Sequence, residues 1–459
     1  MTIDYQDFLK SKEVKAKKSG MKNVPELAGH LFPHQADTTE FLLSRGSGAA
    51  FLDTGMGKTA VELEWGRQVV EHTNKPVLLL APLAVGKQHE REGVKFDTDA
   101  VVIRDGSEVT SPRVYISNYE RLHLFDSSQF GGIILDESSI IKSFAGVTTR
   151  RLMEFGEDMR WRLAATATPA PNDHMELGQH SQFLDVMRSN EMLARWFIAD
   201  QSQMGKYRLK KHGIKPYWSW VASWARCVGK PSDLGYSDDG FELPDLNRHI
   251  HVVETDITKD AGDNLFRMPD VSATAIHKEK RLTSMDRARK IAEIVREEPD
   301  EAWMIWVETD YDADSIMGYL PEAVEVRGSM KPDMKEERLN DFTLGNIRVL
   351  VSKPKIAGFG LNWQHCARTA FVGLSFSYEM FYQAVRRFWR FGQTRPVDCH
   401  IAMADTELAI WQTIQRKQKD HEIMKEEMFN AMRREVLVKS VKNPYAPTQS
   451  AQIPQWLKG

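Results

Sequence analysis

The sequence predicts an α/β protein of two tandem units, each a parallel sheet flanked by helices. Three observations carry that expectation. A short apolar run, a polar turn and a helix-like segment recur through the first half, as in FLDTGMGKT, PVLLLAPLAV, RVYISNYERL and GGIILDESS. The rhythm returns from about residue 249, in HIHVVETDI, AWMIWV, IRVLVS and TAFVGL. At 459 residues the chain also exceeds one ordinary core, since domains typically run about 100 to 200 residues.

Taken in order, residues 1–24 read as an N-terminal extension and 25–184 as the first α/β domain. Its apolar runs are short, rich in branched residues and punctuated by glycine or proline, as strands are. From 185 to 248 the rhythm breaks into a stretch dense in tryptophan and basic residues, which reads as an insertion or bridge. Lys206, Arg208, Lys210, Lys211 and Lys215 interleave there with Tyr207, Tyr217, Trp218, Trp220 and Trp224. Two readings stand: a positive, stacking-capable surface for nucleic acid, or a helical subdomain with aromatic core and solvated lysines.

The second α/β domain is expected over 249–436. Within it Met285, Ala288, Ile291, Ala292 and Val295 recur at helical spacing from Thr283 to Glu298, with Thr283 or Ser284 as cap and Pro299 beyond the end. The charged stretch from Glu407 to about Val438 predicts a helix, and 437–459, with Pro444, Pro447 and Pro454, an irregular tail.

Hydrophobic residues make up 42% and charged residues 27%, which excludes a disordered chain. A net charge of -3 excludes a wholly basic, histone-like binder, so contacts to phosphate must come from local patches. Cys227, Cys366 and Cys399 lack the paired spacing of zinc sites. No apolar core of a signal peptide opens the chain, and no run approaches the roughly 18 apolar residues of a membrane span. A reduced, cytoplasmic protein is expected.

Chemistry concentrates in DTGMGKT, Asp53 to Thr59, between an apolar strand and a helix-like AVELEWGRQVV. Glycines let backbone N–H groups close around phosphate oxygens, Lys58 reaches the outer phosphates, and the Thr59 hydroxyl can ligate magnesium. Leu52 stands where the eight-residue form of this loop has its first glycine. In GGIILDESS, Asp136 and Glu137 follow a buried strand; Asp136 would hold magnesium and Glu137 would orient the attacking water.

In chain order, LFPHQ, DTGMGKT, LLLAPLAVGKQHERE, ISNYERL, LDESSIIKS, AATATPAPND, VLVSKPKIAGFGLN and QAVRRFWRFGQTRP resemble the motif series of superfamily 2 ATPases. SNYE with LDESSIIKS, and above all QAVRRFWRFGQTRPV, are similar to the Swi/Snf-type branch, and the compact size with PSDLGY looks like small bacteriophage or prophage helicase proteins. The resemblance implies two RecA-like domains with an ATP cleft between them, and ATP and Mg2+ as cofactors. It implies that Gln35 reads adenine, that Thr54, Gly55, Met56, Gly57, Lys58 and Thr59 cradle phosphate, and that Thr166 and Thr168 couple hydrolysis to movement. Ser352 and the stretch Gly358 to Asn362, with Gly360, would contact nucleic-acid backbone and nucleotide. Gln383, Arg387 and Arg390 would face ATP from the second domain, the arginines three apart on one helical face. Arg386, out of phase, reads as surface or DNA-facing.

Three positions depart from the family pattern. Ala167 stands for a usual glycine, Trp389 for a usual histidine, and Ser139 for the ionisable residue that links this strand to the coupling motif. The function so implied is an ATP-dependent DNA translocase or helicase, monomeric without DNA and cytoplasmic, in the bacterial host if phage-encoded. An RNA helicase and an ATP-dependent nucleic-acid clamp with little turnover are the alternatives.

Overall fold

The computed structural model describes residues 15–82, 85–142, 146–170, 174–199, 207–254, 273–357 and 362–440. Two parallel sheets dominate. The first comprises β1 (Ser47–Leu52), β2 (Val77–Ala81), β3 (Ala100–Val102), β4 (Val114–Asn118), β5 (Gly132–Asp136), β6 (Trp161–Ala165) and, beyond the short hairpin β7 (Phe197–Ala199) and β8 (Tyr207–Leu209), β9 (Ala225–Val228). Its order is β3-β4-β2-β5-β6-β1-β9. Every residue of β2 and β5 is buried, as strands covered by helices on both faces must be.

The second sheet holds β10 (Leu246–Val253), β11 (Trp303–Val307), β12 (Val324–Val326), β13 (Val349–Ser352), β14 (Arg368–Val372) and β15 (Val397–Ala404), in the order β10-β15-β14-β11-β13-β12. Both sheets are parallel and flanked by helices, consistent with tandem RecA-like domains. Helices used below are α1 (Pro33–Arg45), α2 (Lys58–Thr73), α3 (Gly86–Lys95), α4 (Ile214–Ala222), α5 (Ala273–Glu297), α6 (Tyr378–Val385) and α7 (Leu408–Ser440).

The stretch 185–248 differs from a free-standing bridge. β9 pairs in parallel with β1, Ala49 opposite Ala225, so the segment completes the first sheet. Tyr217, Trp218, Trp220 and Trp224 are no more than 2% exposed and belong to the first core. Burial of such large rings outweighs any gain from displaying them. Among the basic residues, Arg208, Lys211 and Lys215 are exposed, while the Lys210 ammonium donates to the carbonyls of Ala194 and Arg195 at 3.0 Å each. Lys206 lies outside the described residues.

In the second domain α5 starts ten residues before the expected cap, at Ala273. Thr283 and Ser284 are therefore interior: the Thr283 hydroxyl donates to the Glu279 carbonyl one turn back, and Ser284 donates to Tyr311. Ala288, Ile291, Ala292 and Val295 form the buried stripe, but Met285 is 53% exposed. The C-terminal helix α7 runs through Ser440, and 441–459 lie outside the described residues.

α7 belongs to both cores. Ile410 and Ile414 pack in the second, whereas Met424, Met428 and Met432 pack in the first. Trp218 on α4 fixes the far end, its indole N–H donating to Glu427 at 3.0 Å. Unbranched methionines suit such a contact between elements remote in sequence, because they fill irregular gaps.

Candidate nucleotide site between the two domains

The strand β1 delivers the chain to Asp53, and α2 begins at Lys58. Between them Gly55 and Gly57 have φ of +93° and +82°, conformations that L side chains rarely adopt. Space forbids a side chain too: a Cβ on Gly57 would stand 2.0 Å from the Gln35 side chain, and one on Gly55 2.8 Å from the Phe391 nitrogen. Gln35, at the start of α1, accepts from the Phe32 N–H at 3.1 Å and donates to the Met56 carbonyl at 3.3 Å. Met56 is itself buried, so it shapes the loop through its carbonyl.

The Lys58 ammonium lies 2.9 Å from Glu137 Oε1, an ion pair at the mouth of the loop. Asp136 ends β5, and Glu137 has φ of +53°, a strained conformation for a residue with a Cβ, which turns its carboxylate toward Lys58. Strain of this kind persists where neighbours over-determine it. Here the Thr166 hydroxyl donates to Glu137 Oε2 at 3.2 Å, and the Thr168 N–H donates to the Thr166 oxygen at 3.1 Å. A link from this strand to the threonine segment therefore exists without an ionisable residue at Ser139; it runs through Glu137. Ser138 adds a second tie, 3.0 Å from His180 Nε2.

Burial raises the pKa of Asp136, and the nearby Glu62 carboxylate pushes it the same way. Glu137 is shifted down: although burial opposes ionisation, the Lys58 charge prevails. His89 on α3 sits between Glu62 and Asp136, at 3.3 and 3.5 Å, and despite burial these acidic neighbours push its imidazole up to about 9.

From the second domain come Arg387 and Arg390. Both line one cavity of about 520 Å³ together with Gln35, Lys58, Thr59, Asp136 and Glu137. Burial lowers each guanidinium to about 10, well above neutrality, so both remain cationic. They do not share a helical face, because α6 ends at Val385; a turn brings them together. Gln383 is not in the cavity wall. Its backbone and side-chain oxygens accept from Arg387 at 3.1 and 2.9 Å, so it aims that arginine.

Thr54, Gly55 and Gly57 also line the cavity, as do Asn362 and Gln364. Gly360 and the rest of 358–361 fall outside the described residues. Ser352 is buried and donates to the Val326 carbonyl at 2.9 Å, so its hydroxyl serves the sheet edge.

Sequence reasoning missed a second set of contacts. Arg386 is buried, not surface-facing: it donates to the Thr54 carbonyl at 2.8 Å and pairs with Asp53 at 3.2 Å. The Tyr382 hydroxyl donates to Asp53, Lys425 on α7 reaches the same carboxylate at 3.1 Å, and Lys142 pairs with Glu379 across the cleft. The doubled arginine was the available signal for Arg386; nothing local marks Lys425.

Residues 286–392 match the family described as helicase conserved C-terminal domain. That stretch is similar to a helicase C-terminal domain. The matched span runs from within α5 to Gly392 and includes Gln383, Arg386, Arg387 and Arg390. Comparison with curated proteins gives no match. Among the described residues, no helix is long and apolar enough to cross a membrane.

Proposed function

We propose that the protein is an ATP-driven DNA translocase of the Swi/Snf-type branch, hydrolysing ATP between its two RecA-like domains. One observation carries the reading: Lys58, Asp136 and Glu137 of the first domain and Arg387 and Arg390 of the second line the same cavity. The residues fit Mg-ATP. A loop closed by two left-handed glycines presents backbone N–H groups, Lys58 and the arginines supply positive charge, and Thr59 and Asp136 supply oxygen ligands.

Bound there, Mg-ATP supplies the phosphoryl group whose transfer to water drives the cycle. Lys58 exchanges Glu137 for a phosphate oxygen, which frees the Glu137 carboxylate to orient water and accept its proton. Arg387, aimed by Gln383, stabilises charge that develops on the transferred group. Thr166, bonded to Glu137, carries the change toward the nucleic-acid side. Because lysine and arginine sit on different domains, turnover requires the closed arrangement, and its relaxation moves one domain against the other.

DNA is favoured over RNA by the QAVRRFWRFGQTRP segment, and Arg208, Lys211 and Lys215 offer exposed cations beside the first domain. Contact would be to phosphates, hence weakly sequence-specific and salt-dependent. ATP turnover measured with duplex DNA, single-stranded DNA and RNA tests the reading. Stimulation by DNA is expected; stimulation by RNA alone, or by nothing, contradicts it.

A further inference from the structure

Behind the loop and Asp136 lies a buried group that the mechanism has not used. Among the described residues, Glu62, His89 and Asp136 bring one carboxylate oxygen or ring nitrogen each to within 4.8 Å of one another. All three are buried. They come from three separate segments: Glu62 from α2, His89 from α3 and Asp136 from the end of β5.

Hydrogen-bond accounting fixes what the imidazole does. His89 Nδ1 is 3.1 Å from the Val85 carbonyl oxygen, which can only accept. His89 Nε2 faces Glu62 Oε2 at 3.3 Å and Asp136 Oδ2 at 3.5 Å. The ring is tethered at one end to the backbone and at the other to Glu62, with the Asp136 carboxylate beside the same nitrogen. The Tyr119 hydroxyl meanwhile donates to the Asp136 carbonyl, so backbone and side chain of Asp136 are held from different directions.

We propose that His89 is a positioning residue for magnesium: fixed by Val85 and Glu62, its ring faces one carboxylate oxygen of Asp136 and leaves the other for the metal. Partners of this kind around a metal ligand typically contribute about 10- to 100-fold in metal affinity. The inference rests on the ATPase reading above.

The test is equilibrium binding of a fluorescent ADP analogue to the full chain, in EDTA and across a magnesium titration, for wild type, His89→Ala and His89→Gln. In His89→Ala the affinity in EDTA stays within about twofold of wild type, while the magnesium midpoint rises by about tenfold or more. His89→Gln, which keeps one N–H donor, falls between the two. An unchanged midpoint overturns the proposal, as does an equal loss of affinity with and without magnesium, which would mark His89 as support for the fold. Should His89→Ala fail to fold, His89→Gln decides: its midpoint rises above that of wild type if the proposal holds and stays put if it does not. A wild type that binds no nucleotide overturns the ATPase reading as well, whereas a binding wild type with unchanged variants overturns the role of His89 alone.

Discussion

The Arg386 guanidinium donates to the Thr54 carbonyl at 2.8 Å, so the second domain grips directly the backbone of the glycine loop between β1 and α2. The same side chain pairs with Asp53, which also accepts from Tyr382 and faces Lys425. Two helices of the second half, α6 and α7, thus converge on the residue that opens the loop.

Replacing Arg386 with alanine removes a charge-assisted contact and leaves Asp53 with fewer partners. Hydrogen bonds to charged groups contribute about 1.5–3 kcal/mol, and Arg386→Ala should lose stability in that range. Denaturant titration gives the number. Turnover should fall more than nucleotide affinity, because the loop stays intact while its link to the second domain is cut. An Arg386→Ala protein as stable and active as wild type would refute the clamp.

Gly57→Ala should disable the loop. The left-handed φ of +82° costs a non-glycine residue roughly 1–2 kcal/mol, and the new methyl would meet the Gln35 side chain. Nucleotide binding by the variant should be lost or severely weakened, with only a modest fall in melting temperature. Gln35→Ala in the same background should restore part of the binding, since it clears the collision.

Buried neutral histidines should work against the fold on mild acidification, opposite in sign to His89. Burial holds His180 down to about 4 and His400 likewise, below the ordinary histidine value of about 6.5 in an unfolded chain. Between those values the unfolded chain binds more protons than the folded one, so the stabilisation is complete above about 6.5 and is lost as pH falls toward 4. Between pH 7.5 and 5, denaturant midpoints should fall more for wild type than for His180→Asn. Parallel slopes for the two proteins would show that His180 does not drive the loss.

Placement next to a strand end was legible in the sequence. Lys58, Asp136 and Glu137 follow apolar runs, and those runs are β1 and β5. Arg387 and Arg390 were legible as a pair but not in their geometry, because α6 ends before them and a turn, not helical phase, sets their direction. Arg386 was misread for the same reason. Its partners Asp53 and Thr54 are more than 300 positions away, with 332 between Thr54 and Arg386. The tryptophan-rich stretch broke the α/β rhythm because two short helices, the hairpin β7–β8 and the strand β9 are packed there without a full repeat. His89 left a faint trace, a histidine in GKQHERE and an acidic Glu62 inside the apolar AVELEW; only the fold brings them to Asp136.

The central claim is that ATP is hydrolysed between the domains with an arginine supplied by the second. It is tested most directly by single-turnover ATP hydrolysis and nucleotide binding measured together on wild type and Arg387→Ala, each with duplex DNA present. The account predicts near-equal nucleotide affinity and a hydrolysis rate lower by roughly 10³ or more in the variant. Equal hydrolysis rates in the two proteins would contradict it.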